Sequence, residues 1–117
     1  MTSTTAFRIS AVFGFLAVAL GAIGAHLLEE LLVRHGKVAV WQTAVLYHLV
    51  HSVVLLLVAA REPLKIWAWR LFAVGILIFS GSLYALALTD VKILGAITPI
   101  GGVCLLGGWL AFAVKPM

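Results

Sequence analysis

The chain has 117 residues, of which 64% are hydrophobic and only 10% are charged, and its formal net charge is +4. A soluble globular domain has about 45–50% apolar and about 25% charged residues, so this composition indicates a membrane protein. The Lys and Arg residues stand between apolar runs instead of clustering, which argues against a nucleic-acid-binding surface. The single cysteine, Cys104, excludes an internal disulfide and a paired-cysteine redox or zinc motif.

Four apolar stretches, residues 9–28, 41–60, 71–89 and 93–114, are each free of Asp, Glu, Lys and Arg. Each meets the roughly 20 residues that an α-helix needs to cross a hydrocarbon core of about 30 Å. We therefore predict an all-α integral membrane four-helix bundle, with residues 1–117 forming one membrane domain. The first stretch is longer than the apolar core of a secretory signal, so we expect it to be a retained span.

The connector between the first two spans is predicted to continue the first helix and then to lie along the membrane surface. Its leucines recur at helical spacing among charged residues, and Gly36 is a natural break. All the tryptophans stand near predicted span ends, where amphipathic rings anchor a helix at the membrane surface. They are Trp41, Trp67, Trp69 and Trp109.

The distribution of Lys and Arg predicts the orientation of the spans. With four spans, both termini and the second connector lie on one side. That side holds Arg8, Arg61, Lys65, Arg70 and Lys115. The other side holds Arg34, Lys37 and Lys92. The excess on the first side predicts that both termini are cytoplasmic.

Polar side chains within the predicted spans fall mainly in one half of the bilayer. A rise of about 1.5 Å per helical residue places His26 near the face of the first connector and His51 near the midplane. The opposite half is almost entirely apolar. Because lipid cannot satisfy polar groups, they face the bundle interior and each other. We predict one polar pocket above an apolar plug, formed by His26, Tyr47, His48, His51, Ser80, Ser82, Tyr84 and Thr98.

Small residues predict close packing in two of the spans. In the first, Gly21 and Ala25 belong to a ladder of small residues spaced four apart. In the fourth, Pro99 is followed by Gly101 and Gly102. Since proline removes a backbone donor, it predicts either a kink or a broken helix that lines a site.

The histidines leave three interpretations open. His48 and His51 are three residues apart on one helix face, and His26 is a candidate third ligand for a metal ion or an axial ligand for haem. Neutral imidazoles also relay protons, although the apolar half offers no titratable group to complete a path. The third interpretation, hydrogen bonds between helices, is favoured for each residue, and we expect no cofactor.

Known catalytic templates are missing from the sequence. It has no Ser-His-acid set, no paired carboxylates within the spans and no glycine-rich phosphate loop. We therefore expect a non-enzymatic structural or accessory bundle that contacts membrane lipid, binds no nucleic acid and associates with itself or a larger membrane complex. A ligand- or metal-binding polar pocket is the first alternative, and a channel or transporter for a small solute or protons is the second.

Four ordered motifs resemble a known family. They are "GAIGAH" (21–26), "WQTAVLYHLVHS" (41–52), "FSGSLYALALT" (79–89) and "LGAITPIGG" (94–102) with "GW" at 108–109. In order and spacing they resemble the small four-span inner-membrane proteins called domain of unknown function 423, which are related to the eukaryotic small transmembrane protein 256. The resemblance covers essentially the whole chain. It implies a bacterial inner-membrane location and a four-helix bundle, and it supplies no activity.

Overall fold

The computed structural model describes residues 1–115 and consists of five helices in this range. They are α1 (Ser3–His26), α2 (Glu29–His35), α3 (Val38–Ala59), α4 (Ile66–Thr89) and α5 (Leu94–Val114). All except α2 are long and apolar enough to cross a membrane. The predicted all-α, four-span architecture is therefore confirmed.

Three of the spans, α1, α3 and α4, begin earlier than their apolar stretches predicted, and α1 and α4 do so by more than one turn. The helix α1 starts at Ser3 because the Thr2 side chain caps it, accepting a hydrogen bond from the Thr5 amide at 3.1 Å. The helix α4 starts at Ile66, before Arg70. A charged side chain limits the apolar part of a span, but it does not interrupt the helical backbone at the membrane surface.

The first connector forms a separate short helix instead of continuing α1. The chain turns at Leu27 and Leu28, where the Leu28 amide donates to the Ile23 carbonyl at 3.0 Å. Gly36 ends α2 as predicted, with a left-handed φ of 67° that favours glycine. Leu32 on α2 is buried against Trp41 and Ala87, which holds α2 over the ends of α3 and α4.

The four spans form an open row. The helix α3 packs between α1 and α4, and α4 packs between α3 and α5. Within residues 1–115, the outer helices α1 and α5 do not pack against each other. The main apolar core lies at the end opposite α2, where Phe72 and Leu55 are fully buried beside Trp69. The inner helices are thus well covered, whereas α1 and α5 present most of their surface to the surroundings.

Glycines allow the helix backbones to approach closely where α1 packs on α3 and where α5 packs on α4. Gly24 on α1 lies against the Trp41 ring, and a Cβ there would overlap the indole. Gly21 faces Val45, whereas Ala25, the residue after the buried Gly24, is exposed. On α5, a Cβ on Gly101 would overlap the backbone at Phe79.

The other predicted packing residues of α5 have looser surroundings. Gly102 is half-buried, and a Cβ there would lie 3.8 Å from the Phe79 ring. The helix continues through Pro99 without a break from Leu94 to Val114. The Thr98 hydroxyl lies 3.4 Å from the Leu94 carbonyl, one turn earlier on the same helix. The proline therefore does not produce the broken helix that was one of the two expectations.

Candidate functional site

His48 is buried on α3 at the point where α1 and α4 approach. Its Nδ1 atom and the Tyr84 hydroxyl form a hydrogen bond of 2.9 Å. The Phe13 ring of α1 meets the imidazole edge-on, with centroids 6.3 Å apart. The Tyr84 ring in turn packs against Trp41 at 4.7 Å. His48 therefore connects α3 to α4 by a hydrogen bond and to α1 by ring packing.

His51, one turn further along α3, faces α5 instead. Its Nδ1 atom lies 2.8 Å from the Tyr47 carbonyl, which can only accept, so this nitrogen carries the proton. Its Nε2 atom accepts a hydrogen bond of 3.0 Å from Trp109 Nε1. Both ring nitrogens are therefore used by a neutral imidazole, and the Nε2 lone pair that a metal ion needs is already engaged.

The hydroxyl residues of the predicted pocket make two further links. The Ser80 hydroxyl donates to the Ala44 carbonyl at 2.8 Å and joins α4 to α3. The Ser82 and Thr98 hydroxyls are 2.6 Å apart and join α4 to α5. Among residues 1–115, every buried side-chain nitrogen and oxygen has a hydrogen-bond partner.

The predicted pocket residues are thus divided among several helix interfaces. The structure brings together His48 with Tyr84 and Ser82 with Thr98, and it leaves Tyr47 exposed over one face of the His51 ring. His26, the last residue of α1, is exposed. In the part of the chain that is described, no three His, Cys, Asp or Glu side chains converge as metal ligands. His26, His48 and His51 are therefore not brought to one point.

Two tryptophans predicted as surface anchors are instead buried between helices. Trp41 Nε1 donates to the Leu20 carbonyl at 3.0 Å, and Trp69 Nε1 donates to the Ser10 hydroxyl at 2.9 Å. The pair of Ser10 and Trp69 lies in the half that was predicted to be an apolar plug, so that prediction was incomplete. Ser10 was the available signal, because a serine inside an apolar run needs a partner.

The other two tryptophans are more exposed. Trp67 has 72% of its surface exposed, and the Arg70 guanidinium lies over its ring at 5.1 Å. Trp109 is 46% exposed although it donates to His51. Position near a span end therefore did not distinguish the tryptophans that face the surroundings from those that join helices.

A second polar cluster, not anticipated from the sequence, joins α2 to the end of α4. His35 Nδ1 donates to the Ala87 carbonyl at 2.8 Å. Lys37 Nζ lies 3.2 Å from Asp90 Oδ1 and forms an ion pair. Asp90 ends α4 in a left-handed conformation with a φ of 56°. These contacts satisfy a carbonyl in the last turn of α4 and hold α2 against it.

Several grooves open between the spans of residues 1–115, and two of them lie near the predicted pocket residues. One lies between α1 and α3 beside α2 and has a volume of about 500 Å³. The other lies between α1 and α4, has a volume of about 320 Å³ and includes His48 and Tyr84 in its lining. The lining of the first groove includes the polar side chains of Glu29 and Gln42. His48, Ser80 and Tyr84 line the second groove, but the surface exposed to that groove is almost wholly apolar.

Comparison with known proteins agrees with this architecture. The family described as "Protein of unknown function (DUF423)" matches residues 20–102. A UPF0382 membrane protein of Staphylococcus epidermidis is 44% identical over 113 residues, covering 93% of this chain and 92% of its own. The UPF0382 membrane protein YwdK of Bacillus subtilis is 42% identical over 118 residues, and the alignment covers 91% of this chain and 90% of the length of YwdK.

A further relative is the UPF0382 inner membrane protein YgdD of Escherichia coli (strain K12). It is 40% identical over 121 residues, covering 97% of this chain and 90% of its own. No solved structure matches the chain. Since the family match covers most of the sequence and the relatives align along nearly their whole length, this chain is a multi-pass membrane protein that belongs to the DUF423 family.

Proposed function

We propose that this chain is a non-enzymatic bundle of the bacterial inner membrane that acts by association, with itself or with a larger membrane complex. The name of the E. coli relative supports the location. The observation that carries the proposal is the open row of spans. In α1 and in α5, only 17% of the residues in the 18-residue apolar stretch of the helix are buried, compared with 44% in α3 and 39% in α4.

The polar side chains support the same proposal. His48, His51 and the hydroxyl residues are engaged in hydrogen bonds that join α3, α4 and α5. Such bonds fix which helix faces meet in a bundle whose surfaces are otherwise apolar. Together with the bonds of Trp41 and Trp69 to α1, the side chains thus fix the arrangement of the four spans, and the outward faces of α1 and α5 remain as free edges.

The two alternative functions, a metal-binding pocket and a channel or transporter for protons, fit the observed contacts less well than association does. A metal ion at His51 must displace the hydrogen bond from Trp109, and one at His48 must displace the bond to Tyr84. A proton path through the imidazoles must also cross the core around Phe72 and Leu55, which are fully buried. Both functions therefore require rearrangement of contacts that association leaves intact.

Cysteine crosslinking in native membranes tests the proposal. Cys104 is first replaced by Ser, and single cysteines are introduced at Phe15 on α1 and Leu106 on α5, which are 63% and 69% exposed. Leu57 on α3, 59% exposed, is the matched control. We expect crosslinks to a second copy or to a partner at an outer-helix position and not at Leu57.

Equal crosslinking at all three positions would contradict the proposal, because random collision has no preferred helix. The proposal would also be contradicted if no position gave a crosslink and the protein remained a monomer that co-purified with no other protein after mild solubilisation.

A further inference from the structure

The groove between α1 and α3 has a graded polarity. Its mouth, next to α2, carries the Glu29 carboxylate and the Gln42 amide. Deeper in the membrane it is lined by Gly21, Leu46 and Leu49. A polar end at the membrane surface and an apolar end in the hydrocarbon match the two parts of an amphiphile.

The dimensions of the groove match one leaflet. Its lining on α3 extends from Val38 to Leu49. At about 1.5 Å per residue, this is roughly 16 Å along the helix, about half of a 30 Å hydrocarbon core. The volume of about 500 Å³ lies within the usual range for ligand sites. One acyl chain of the leaflet at the α2 end therefore fits along it.

The charge at the mouth selects the headgroup. Glu29 is exposed, and the groove lining includes no Lys or Arg. The ion pair found within residues 1–115 joins Lys37 to Asp90 and does not involve Glu29. A carboxylate attracts an ammonium group that can donate hydrogen bonds and repels an anionic headgroup.

We propose that this groove binds a single phospholipid with a primary ammonium headgroup, taken from the leaflet at the α2 end. One acyl chain lies along Leu46 and Leu49, and the ammonium group lies at Glu29, where the Gln42 side-chain carbonyl is a second acceptor. Trp41, whose indole is held by the Leu20 carbonyl, forms the rigid back of the groove.

Native mass spectrometry of the full chain, purified with an equimolar mixture of dioleoyl phosphatidylethanolamine, phosphatidylglycerol and phosphatidylcholine, tests this site. We expect the protein to retain phosphatidylethanolamine in preference to the other two. Glu29→Gln removes the charge and keeps the shape, so the preference should fall by about two- to fivefold, as expected for an exposed ion pair. Glu30→Gln, on the same helix but outside the groove, should leave it unchanged.

A second pair of variants tests the apolar part. Leu46→Trp fills the groove from an exposed position, whereas Leu106→Trp adds the same bulk to α5 away from it. We expect Leu46→Trp to lower the retained phosphatidylethanolamine severalfold and Leu106→Trp to have no effect. Ala25→Phe narrows the groove from α1 and should reproduce the loss.

Three results would overturn the proposal. They are equal retention of phosphatidylglycerol and phosphatidylethanolamine, equal effects of Glu29→Gln and Glu30→Gln, and full retention by both Leu46→Trp and Ala25→Phe.

Discussion

At the scale of single residues, His48 and His51 join helices, and they join different helices although they lie one turn apart. His48 pairs with Tyr84 on α4, whereas His51 accepts from Trp109 on α5. Hydrogen bonds between membrane helices contribute about 0.6–1.7 kcal/mol each. Two such bonds from one helix are therefore enough to favour one rotation of α3 over its alternatives.

Trp109→Phe is predicted to destabilise the bundle by about 0.6–1.7 kcal/mol, because it removes the indole donor and keeps most of the aromatic packing. The measurement is the free energy of unfolding of the purified protein in mixed micelles. The matched control is Trp67→Phe, an exposed position that should change this free energy little.

A double-mutant cycle separates the hydrogen bond from the packing. In a His51→Leu background the acceptor is gone, so Trp109→Phe should cost little further stability. If Trp109→Phe costs the same with and without His51, the bond between them does not stabilise the protein and the connector role is wrong.

The sequence predicted the depth of the polar side chains in the membrane, but it predicted their hydrogen-bond partners only in part. His48, Tyr84, Ser82 and Thr98 were assigned to one pocket, and the structure pairs them within two interfaces. Trp109 was assigned to the membrane surface. Depth along the membrane normal follows from counting residues, whereas the direction that a side chain faces depends on which helices are neighbours.

At the scale of helices, the face of α1 that packs against its neighbours has small residues at an alternating spacing of four and three. These small residues are Ser10, Gly14, Ala17, Gly21 and Gly24. A strict spacing of four advances by about 400° per step and drifts away from the contact face. This is why Gly24 meets Trp41 whereas Ala25, at the strict spacing, is exposed.

Gly101→Ala is predicted to destabilise the packing of α5 on α4 by about 1–3 kcal/mol, because the added Cβ overlaps the backbone at Phe79 and the helices must separate. Thermal unfolding of the purified protein measures the effect.

Gly107→Ala on the same helix is the control. Its Cβ would lie 3.8 Å from the Leu71 side chain, an ordinary contact, so the helix preference of alanine should leave stability unchanged or raise it by up to about 1 kcal/mol. Similar losses of stability from both substitutions would show that the close approach at Gly101 is not what makes its substitution costly.

At the scale of the whole molecule, hydropathy was sufficient to predict four spans because each is an uninterrupted apolar run of membrane length. Hydropathy was not sufficient to predict the open row. Nearly every face of every span is apolar, so hydrophobicity does not determine which helices pack side by side. Contacts between α1 and α3, α3 and α4, and α4 and α5 depend on where a glycine or a hydrogen-bonding pair allows close approach. The single polar pocket was expected because polar side chains were predicted to face one bundle interior, whereas in the open row they lie at separate helix interfaces.

The positive charges predict the orientation of this row in the membrane. The N-terminus of α4 and the C-terminus of α5 meet where Lys65 Nζ donates to the Lys115 carbonyl. This end of the bundle also carries Arg8, Arg61 and Arg70, and the positive-inside rule therefore predicts that it is cytoplasmic.

A fluorescent protein fused to the C-terminus should consequently fold and fluoresce, whereas alkaline phosphatase fused there should be inactive. Replacing Arg61 and Arg70 by Gln leaves three Lys and Arg residues at each end, so we expect a mixed population in which both reporters are active. Both arginines are exposed, which keeps the fold intact. Arg34→Gln, which removes a charge from the α2 end, is the control and should retain the original orientation. An active phosphatase on the unsubstituted chain would reverse the orientation and would place the groove at Glu29 in the cytoplasmic leaflet.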